Sequence, residues 1–296
     1  MKAQLPPGPP RDKVLSLRDG RVLGYTQTGH PLGKPVFFFH GSPGSRLQRH
    51  PDETIAREMG IRLIGIDRPG YGLSDFQPDR TLLDWPADVA QLADALHLDH
   101  FAAIGLSGGV PYLLACAHQL PHQLTSAIVI SGVGPLSEPE VLHGMMPAVQ
   151  LGLTLVQRLP WWLLCLLLEP SVNLIRLDPV AAKKVLPASF PQADQAIFAW
   201  PDLQALDRED LGQAYRQGGR AFGWDLILLT RPWGFRLQDI SLPIHLWHGE
   251  EDTTIPVAMG RYLARILPVC SPHFLPGEGH TLVYSHWREI LSVAES

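Results

Sequence analysis

Ser107 sits at the centre of Gly105-Leu106-Ser107-Gly108-Gly109, after the apolar run Phe101-Ala102-Ala103-Ile104 and before Val110-Pro111-Tyr112-Leu113-Leu114-Ala115. A G-x-S-x-G pattern between a strand-like and a helix-like segment puts the serine on a sharp turn with its hydroxyl projecting away from the sheet. Small residues on either side let the backbone turn without Cβ clashes. A hydroxyl is a useful nucleophile only when a base takes its proton, and that base needs a third group to orient it. Both are available downstream. Pro243-Ile244-His245-Leu246-Trp247-His248 reads as a buried strand that runs into an acid-bearing loop, Gly249-Glu250-Glu251-Asp252. Cys270-Ser271-Pro272-His273-Phe274-Leu275 reads as another, leading into Pro276-Gly277-Glu278-Gly279-His280. The order is nucleophile, acid, base, with Glu250 and Glu251 as alternatives to Asp252.

The elements that must position these groups follow from hydrophobic periodicity. Lys13 to Leu17 and Arg21 to Thr28 flank Asp19-Gly20, a hairpin signal. Beyond it, apolar runs at 35–40, 61–67, 100–106, 124–131, 243–248 and 270–275 read as strands. Amphipathic stretches near 46–59, 81–97, 108–119, 255–267 and 282–294 read as helices between them. That alternation predicts an α/β fold, a mostly parallel twisted sheet flanked by helices, with ligands bound at the carboxyl ends of the strands. The stretch from 136 to 238 breaks it. This part is rich in Leu, Trp and Pro, with helical candidates near 139–158, 161–176, 179–186, 191–199, 207–218 and 221–230. The expected organisation is a core in two parts, 1–135 and 239–296, with a helical insertion at 136–238.

Together these motifs resemble the α/β-hydrolase superfamily over nearly the whole chain. His40-Gly41-Ser42-Pro43-Gly44, after the strand Val36-Phe37-Phe38-Phe39, matches that family's H-G-x-P-G loop, and Asp67-Arg68-Pro69-Gly70-Tyr71-Gly72-Leu73-Ser74 matches the loop after its next strand. The resemblance implies a Ser107–His280–Asp252 triad, since the family's acid follows Gly249 with G-x-x-D spacing and the chain order is Ser, Asp, His. It implies an oxyanion hole made by the N–H groups of Ser42 and Gly108. The insertion would be a cap over the serine, excluding water and lining an acyl or alcohol pocket. Leu106, Trp161, Trp162, Trp224 and Trp233 are the expected substrate contacts, with Leu163, Leu164 and Leu228 also placed for it; the alternative is that most of the cap residues only pack the insertion on the main domain. Serine at the elbow, where dehalogenases and epoxide hydrolases of the superfamily carry Asp, points away from those activities. Proline iminopeptidases share the H-G-x-P-G loop but usually have Trp where this chain has Gly108.

The implied reaction is hydrolysis of carboxylic esters of small or medium apolar substrates through an acyl-enzyme, with no cofactor. A C–C bond hydrolase, thioesterase, lactonase or perhydrolase would use the same triad. A slow-turnover receptor on the same fold would hold its product instead.

Composition narrows the partners. With 24 Lys and Arg against 29 Asp and Glu, a net charge of −5 gives no basic footprint for nucleic acid. None of the 13 His falls in a metal-ligand pattern, so no metal is expected. Cys116, Cys165 and Cys270 lie in apolar surroundings and read as reduced thiols. The Pro-rich residues from Met1 to Asp12 lack the apolar region of a signal peptide, so the cytoplasm is the expected location. The apolar run from Leu159 to Leu168, bounded by Arg158 and Glu169, is too short to span a bilayer. It reads as a buried helix of the insertion, with interfacial lipid contact as the alternative. His40 and Asp67 read as loop braces and Glu278 as solvated. Asp225, a lone acid in an apolar stretch, has no role legible from sequence.

Overall fold

A computed structural model describes residues 12–145, 147–177 and 190–294. Eight strands form one sheet: β1 (Lys13–Ser16), β2 (Val22–Gly29), β3 (Lys34–Phe39), β4 (Ile61–Ile66), β5 (Phe101–Leu106), β6 (Leu124–Ile130), β7 (Ile244–Gly249) and β8 (Cys270–Leu275). Their order is β1-β2-β4-β3-β5-β6-β7-β8. The β1–β2 hairpin and the β2–β4 pairing are antiparallel, and every other pairing is parallel. All six strands expected after the hairpin are present to within a residue or so.

The central parallel strands are mostly apolar and buried because helices cover both faces. Successive side chains point to opposite sides of a strand. Phe37 and Phe39 of β3 therefore join one core with Trp85, Val89 and Leu92 of α2 (Trp85–Ala95), Leu113 of α3 (Val110–Gln119) and Leu263. Val36 and Phe38 join the other with Ala56 of α1 (Thr54–Glu58), Trp287 and Ile290. The Phe39 and Trp85 rings meet edge-on at 5.4 Å, and Phe38 and Trp287 at 6.0 Å on the opposite side.

The helix expected over 46–59 is confined to Thr54–Glu58. Pro51 disfavours helical backbone at His50, and Arg46 is drawn inward to an ion pair with buried Asp67 at 3.0 Å.

Between β6 and β7 lie α4 (Pro147–Arg158), α5 (Trp161–Leu177), α6 (Gln192–Phe198), α7 (Pro201–Ala214) and α8 (Arg220–Thr230). The candidate helix at 179–186 lies outside the described residues. α7 begins at Pro201, six residues before its expected start, because proline's fixed φ suits the first helical position. The chain closes with α9 (Val257–Ile266), α10 (Leu282–Ser285) and α11 (Trp287–Ala294).

α5 departs from the buried helix expected of its composition. Leu164 and Val172 are buried, whereas Trp162 is 63% exposed and Leu166 and Leu167 point outward with it. A helix apolar all round has no phase legible in its sequence. Among the described residues no helix is long and apolar enough to cross a membrane.

Candidate active site

Every loop the sequence singled out follows a strand at the carboxyl edge of the parallel sheet. β5 ends at Leu106, and Ser107 opens a single helical turn, Ser107–Gly109, that continues into α3. Ser107 has φ +52°, a left-handed conformation that costs a non-glycine residue on the order of 1–3 kcal/mol and is held by its surroundings. Two glycines make the turn possible. A Cβ at Gly109 would stand 2.2 Å from the Phe39 carbonyl oxygen, and one at Gly108 would stand 2.5 Å from Ser42 Oγ and 3.2 Å from Ser42 N. The β3 loop can therefore press against the elbow, with Ser42 packed on Gly108. Gly108 is also the second residue of a helical turn, where an N–H has no partner inside the helix.

His280 leaves the loop after β8, and its Nδ1 bonds Asp252 Oδ2 at 2.8 Å. Asp252 is buried, and its Oδ1 accepts the Thr254 and Ile255 amides at 2.9 and 2.8 Å. Burial alone would push its carboxyl up, but His280, His248 and the Ile255 amide outweigh it and hold it below the usual carboxylate range. An imidazole donating from Nδ1 to a carboxylate presents Nε2 as a base. Of the alternative acids, Glu250 pairs with Arg261 at 2.9 Å on the surface, and Glu251 is exposed.

Ser107 and His280 open into one cavity of about 350 Å³, lined largely by apolar groups. Gly41, Ser42 and Leu106 form its floor, while Phe198, Leu203 and Leu211 of the inserted helices face them. The tryptophans expected at substrate lie elsewhere. Trp161 stacks on Phe76 at 5.7 Å and meets Trp224 edge-on, and the Trp224 Nε1–H is spent on the Arg80 carbonyl at 3.0 Å. Trp233 is buried beside Phe235, and Trp162 faces outward. Aromatic content marks a segment that packs, but which neighbour it packs on is decided by helix orientation. Leu163 likewise falls outside the lining, Leu164 packs with Val156 and Ile227, and Leu228 joins the core behind the sheet.

What sequence reasoning missed is a set of buried aspartates in the insertion. Asp225 of α8 is fully buried, with Oδ2 accepting from Arg68 (2.9 Å), Tyr71 (2.9 Å) and Ser42 (3.0 Å), and Oδ1 from Arg80 (2.5 Å) and Tyr112 (2.6 Å). Burial pushes its carboxyl up, but the two guanidinium groups and the Tyr112 phenol prevail and bring it down to about 2. Arg68, packed between the Tyr71 and Tyr112 rings, also donates to the His40 carbonyl, the Gly41 carbonyl (3.1 Å) and Ser42 Oγ (2.6 Å). His40 accepts the Arg68 amide on Nε2 at 3.2 Å and contacts the Gly41 carbonyl through Nδ1 at 2.8 Å. Burial and Arg68 hold it well below the usual histidine range, so it braces the loop as a neutral ring. The one readable signal was an acid inside the otherwise apolar AFGWDLILLT.

Asp210 of α7 holds the same loop from its other side, accepting the Ser45 amide at 2.8 Å and the Ser45 hydroxyl at 2.6 Å. Burial raises its carboxyl to about 7 despite those bonds. A carboxyl raised in the folded state stabilises most below its unfolded value of 3.8 and loses that contribution as pH rises through about 7. Asp210→Asn keeps an acceptor for Ser45 and cannot ionise. The variant is therefore expected to gain stability over wild type between pH 4 and 8, by on the order of 2–4 kcal/mol. Thermal melts across that range check it; parallel pH curves for the two proteins would refute it.

A family model described as "alpha/beta hydrolase fold" matches residues 34–286. Among curated relatives, a proline iminopeptidase of Xylella fastidiosa is 33% identical over 127 residues, 40% of this chain and 39% of the relative. A non-heme chloroperoxidase of Streptomyces lividans is 35% identical over 126 residues, 42% of this chain and 45% of the relative. The chain thus spans less than half the length of these relatives. An esterase from Exiguobacterium antarcticum superposes with a TM-score of 0.68 at 16% identity, covering 97% of this chain and all of the esterase, a likeness of fold.

Proposed function

Since the chain belongs to the α/β-hydrolase fold family, we propose that it is a serine hydrolase cleaving carboxylic esters of small or medium apolar substrates, with Ser107 as nucleophile, His280 as base and Asp252 as its orienting acid. The observation that carries this reading is the His280–Asp252 bond at 2.8 Å beside a Ser107 that opens into the same apolar cavity. The substrate carbonyl oxygen sits against the Ser42 and Gly108 amides, with the inserted helices as a cap. His280 Nε2 takes the Ser107 proton as Oγ attacks the carbonyl carbon, and Asp252 stabilises the imidazolium. The imidazolium returns the proton to the leaving alcohol, leaving an acyl ester on Ser107. Water then attacks with the same base, releasing the acid. A largely apolar roof strengthens each dipole acting on the oxyanion.

The cavity volume is near the lower end for ligand sites, about 300–1,000 Å³. Across p-nitrophenyl esters from acetate to palmitate, kcat/KM is expected to peak at short or medium chains and fall steeply at the longest. A fluorophosphonate is expected to label Ser107, located by peptide mass spectrometry. If no ester turned over and the label did not reach Ser107, the proposal would fail.

A second reading rests on Asp207 and Asp210, two acids in the wall of an otherwise apolar cavity, together with relatives named proline iminopeptidase. They would favour a substrate carrying an amine near its scissile carbonyl. Preference for prolyl p-nitroanilide over p-nitrophenyl butyrate would select that reading.

A further inference from the structure

The mechanism above uses the His280 side chain, but the backbone that carries it is held by a residue 86 positions away in the insertion. The Asp194 side chain of α6 is fully buried, and its two oxygens accept three bonds from the loop after β8. Oδ2 accepts the His280 N–H at 3.0 Å, and Oδ1 accepts the Thr281 N–H at 2.8 Å and the Thr281 hydroxyl at 2.6 Å. An aspartate in the first turn of a helix ordinarily serves that helix's own amides or dipole. Here the α6 N-cap is Pro191 with no side-chain cap, and the carboxylate is spent on another part of the chain.

The receiving loop is built for this approach. A Cβ on Gly279 would lie 2.3 Å from Asp194 Oδ2, so only glycine before the histidine lets the carboxylate reach both amides. Asp252, with His248 beside it at 3.7 Å, holds Nδ1, so the imidazole is oriented from its ring by one acid and from its main chain by another.

We propose that Asp194 is a positioning residue for His280, so that seating of the cap sets both the place and the basicity of the catalytic imidazole. The proposal rests on the esterase reading for its kinetic arm only. A carboxylate bonded to the His280 amide lies only a few covalent bonds from its ring, close enough to favour the protonated imidazole. Removing that charge makes protonation harder, so the acid limb of kcat/KM moves to lower pH. Releasing the backbone misplaces Nε2, which lowers kcat more than it raises KM.

The test compares wild type, Asp194→Asn and Asp194→Glu, each checked by thermal melt. In Asp194→Asn, kcat is expected to fall about 10–100-fold with KM nearly unchanged, and the acid limb to move down by about 0.5–1 pH unit. Asp194→Glu retains the charge, so its acid limb stays near the wild-type position even where turnover slows. An arm independent of turnover follows the His280 ring by 15N NMR, assigned through His280→Ala; its titration is expected to move down by the same amount in Asp194→Asn. An unmoved titration, or slower turnover in Asp194→Asn with its acid limb in place, would leave Asp194 a structural anchor and overturn the proposal, as would loss of fold in both variants. If wild type hydrolyses no ester but the NMR shift is present, the esterase reading fails and the positioning role stands.

Discussion

Ser107→Ala is expected to lower kcat on the best p-nitrophenyl ester by about a million-fold while leaving the protein folded. A factor of that size corresponds to about 8 kcal/mol of transition-state stabilisation. It is large because the loss is of the covalent route, not of one contact. Without Oγ no acyl-enzyme can form, and His280 is left with only water to activate. The Ser42 and Gly108 amides and the apolar cavity are untouched, so residual catalysis of about 10³–10⁴ over the uncatalysed reaction is expected to persist. Alanine tolerates the left-handed backbone at 107 no better than serine, so the melting temperature is expected to change little. Retention of even 1% of wild-type kcat would place the nucleophile elsewhere. Of the cysteines, Cys116 is buried, with its thiol pushed up by that burial, which makes it a poor substitute.

The largest expected effect on stability is at Asp225. Asp225→Ala leaves Arg68 and Arg80 as buried cations that have lost their shared carboxylate. Removing one partner of a buried pair costs about 3–5 kcal/mol, on the order of 10 °C in melting temperature for a chain of this size. The carboxyl is held at about 2 in the folded state, below its ordinary 3.8. Its contribution is therefore present above pH 4 and lost as pH falls toward 2. The gap between wild type and variant should close over that interval. Activity should suffer too, because Arg68 and Asp225 together hold Ser42 and the carbonyls at 40 and 41. With the Ser42 amide in its proposed oxyanion role, a loose loop is expected to cost about 10²–10³ in kcat. A melting temperature within a degree or two of wild type would mean that the arginines find other partners or solvent.

The contrast between Ser107 and Asp225 shows why one half of the site was legible and the other was not. Ser107, Asp252 and His280 each stand in a short pattern after an apolar run, and a parallel sheet delivers such loops to one edge whatever else the chain contains. The fold brings His280 to Asp252 and opens Ser107 and His280 into one cavity. Asp194, Asp210 and Asp225 sit in helices whose composition says little about which neighbour they meet. Their partners lie 86, 165 and up to 183 positions away. The cap tryptophans show how composition leaves two readings open. Four aromatic residues in an apolar insertion suit a binding wall or the packing of the cap, and Trp161 and Trp224 pack on each other while Trp162 faces outward.

The amino-acid sequence by itself determined the alternation of strands and helices, the order of the sheet-edge loops and the tight elbow around Ser107. These depend on side-chain period, turn chemistry and the space a glycine leaves, all of which act over a few residues. Only the tertiary structure decided which face of each inserted helix met the cavity, and that three of its aspartates were committed to loops of the sheet. Burial and ion pairing are properties of neighbours far apart in the chain. A lone aspartate in an apolar helix becomes intelligible only when the arginines that balance its charge are in view.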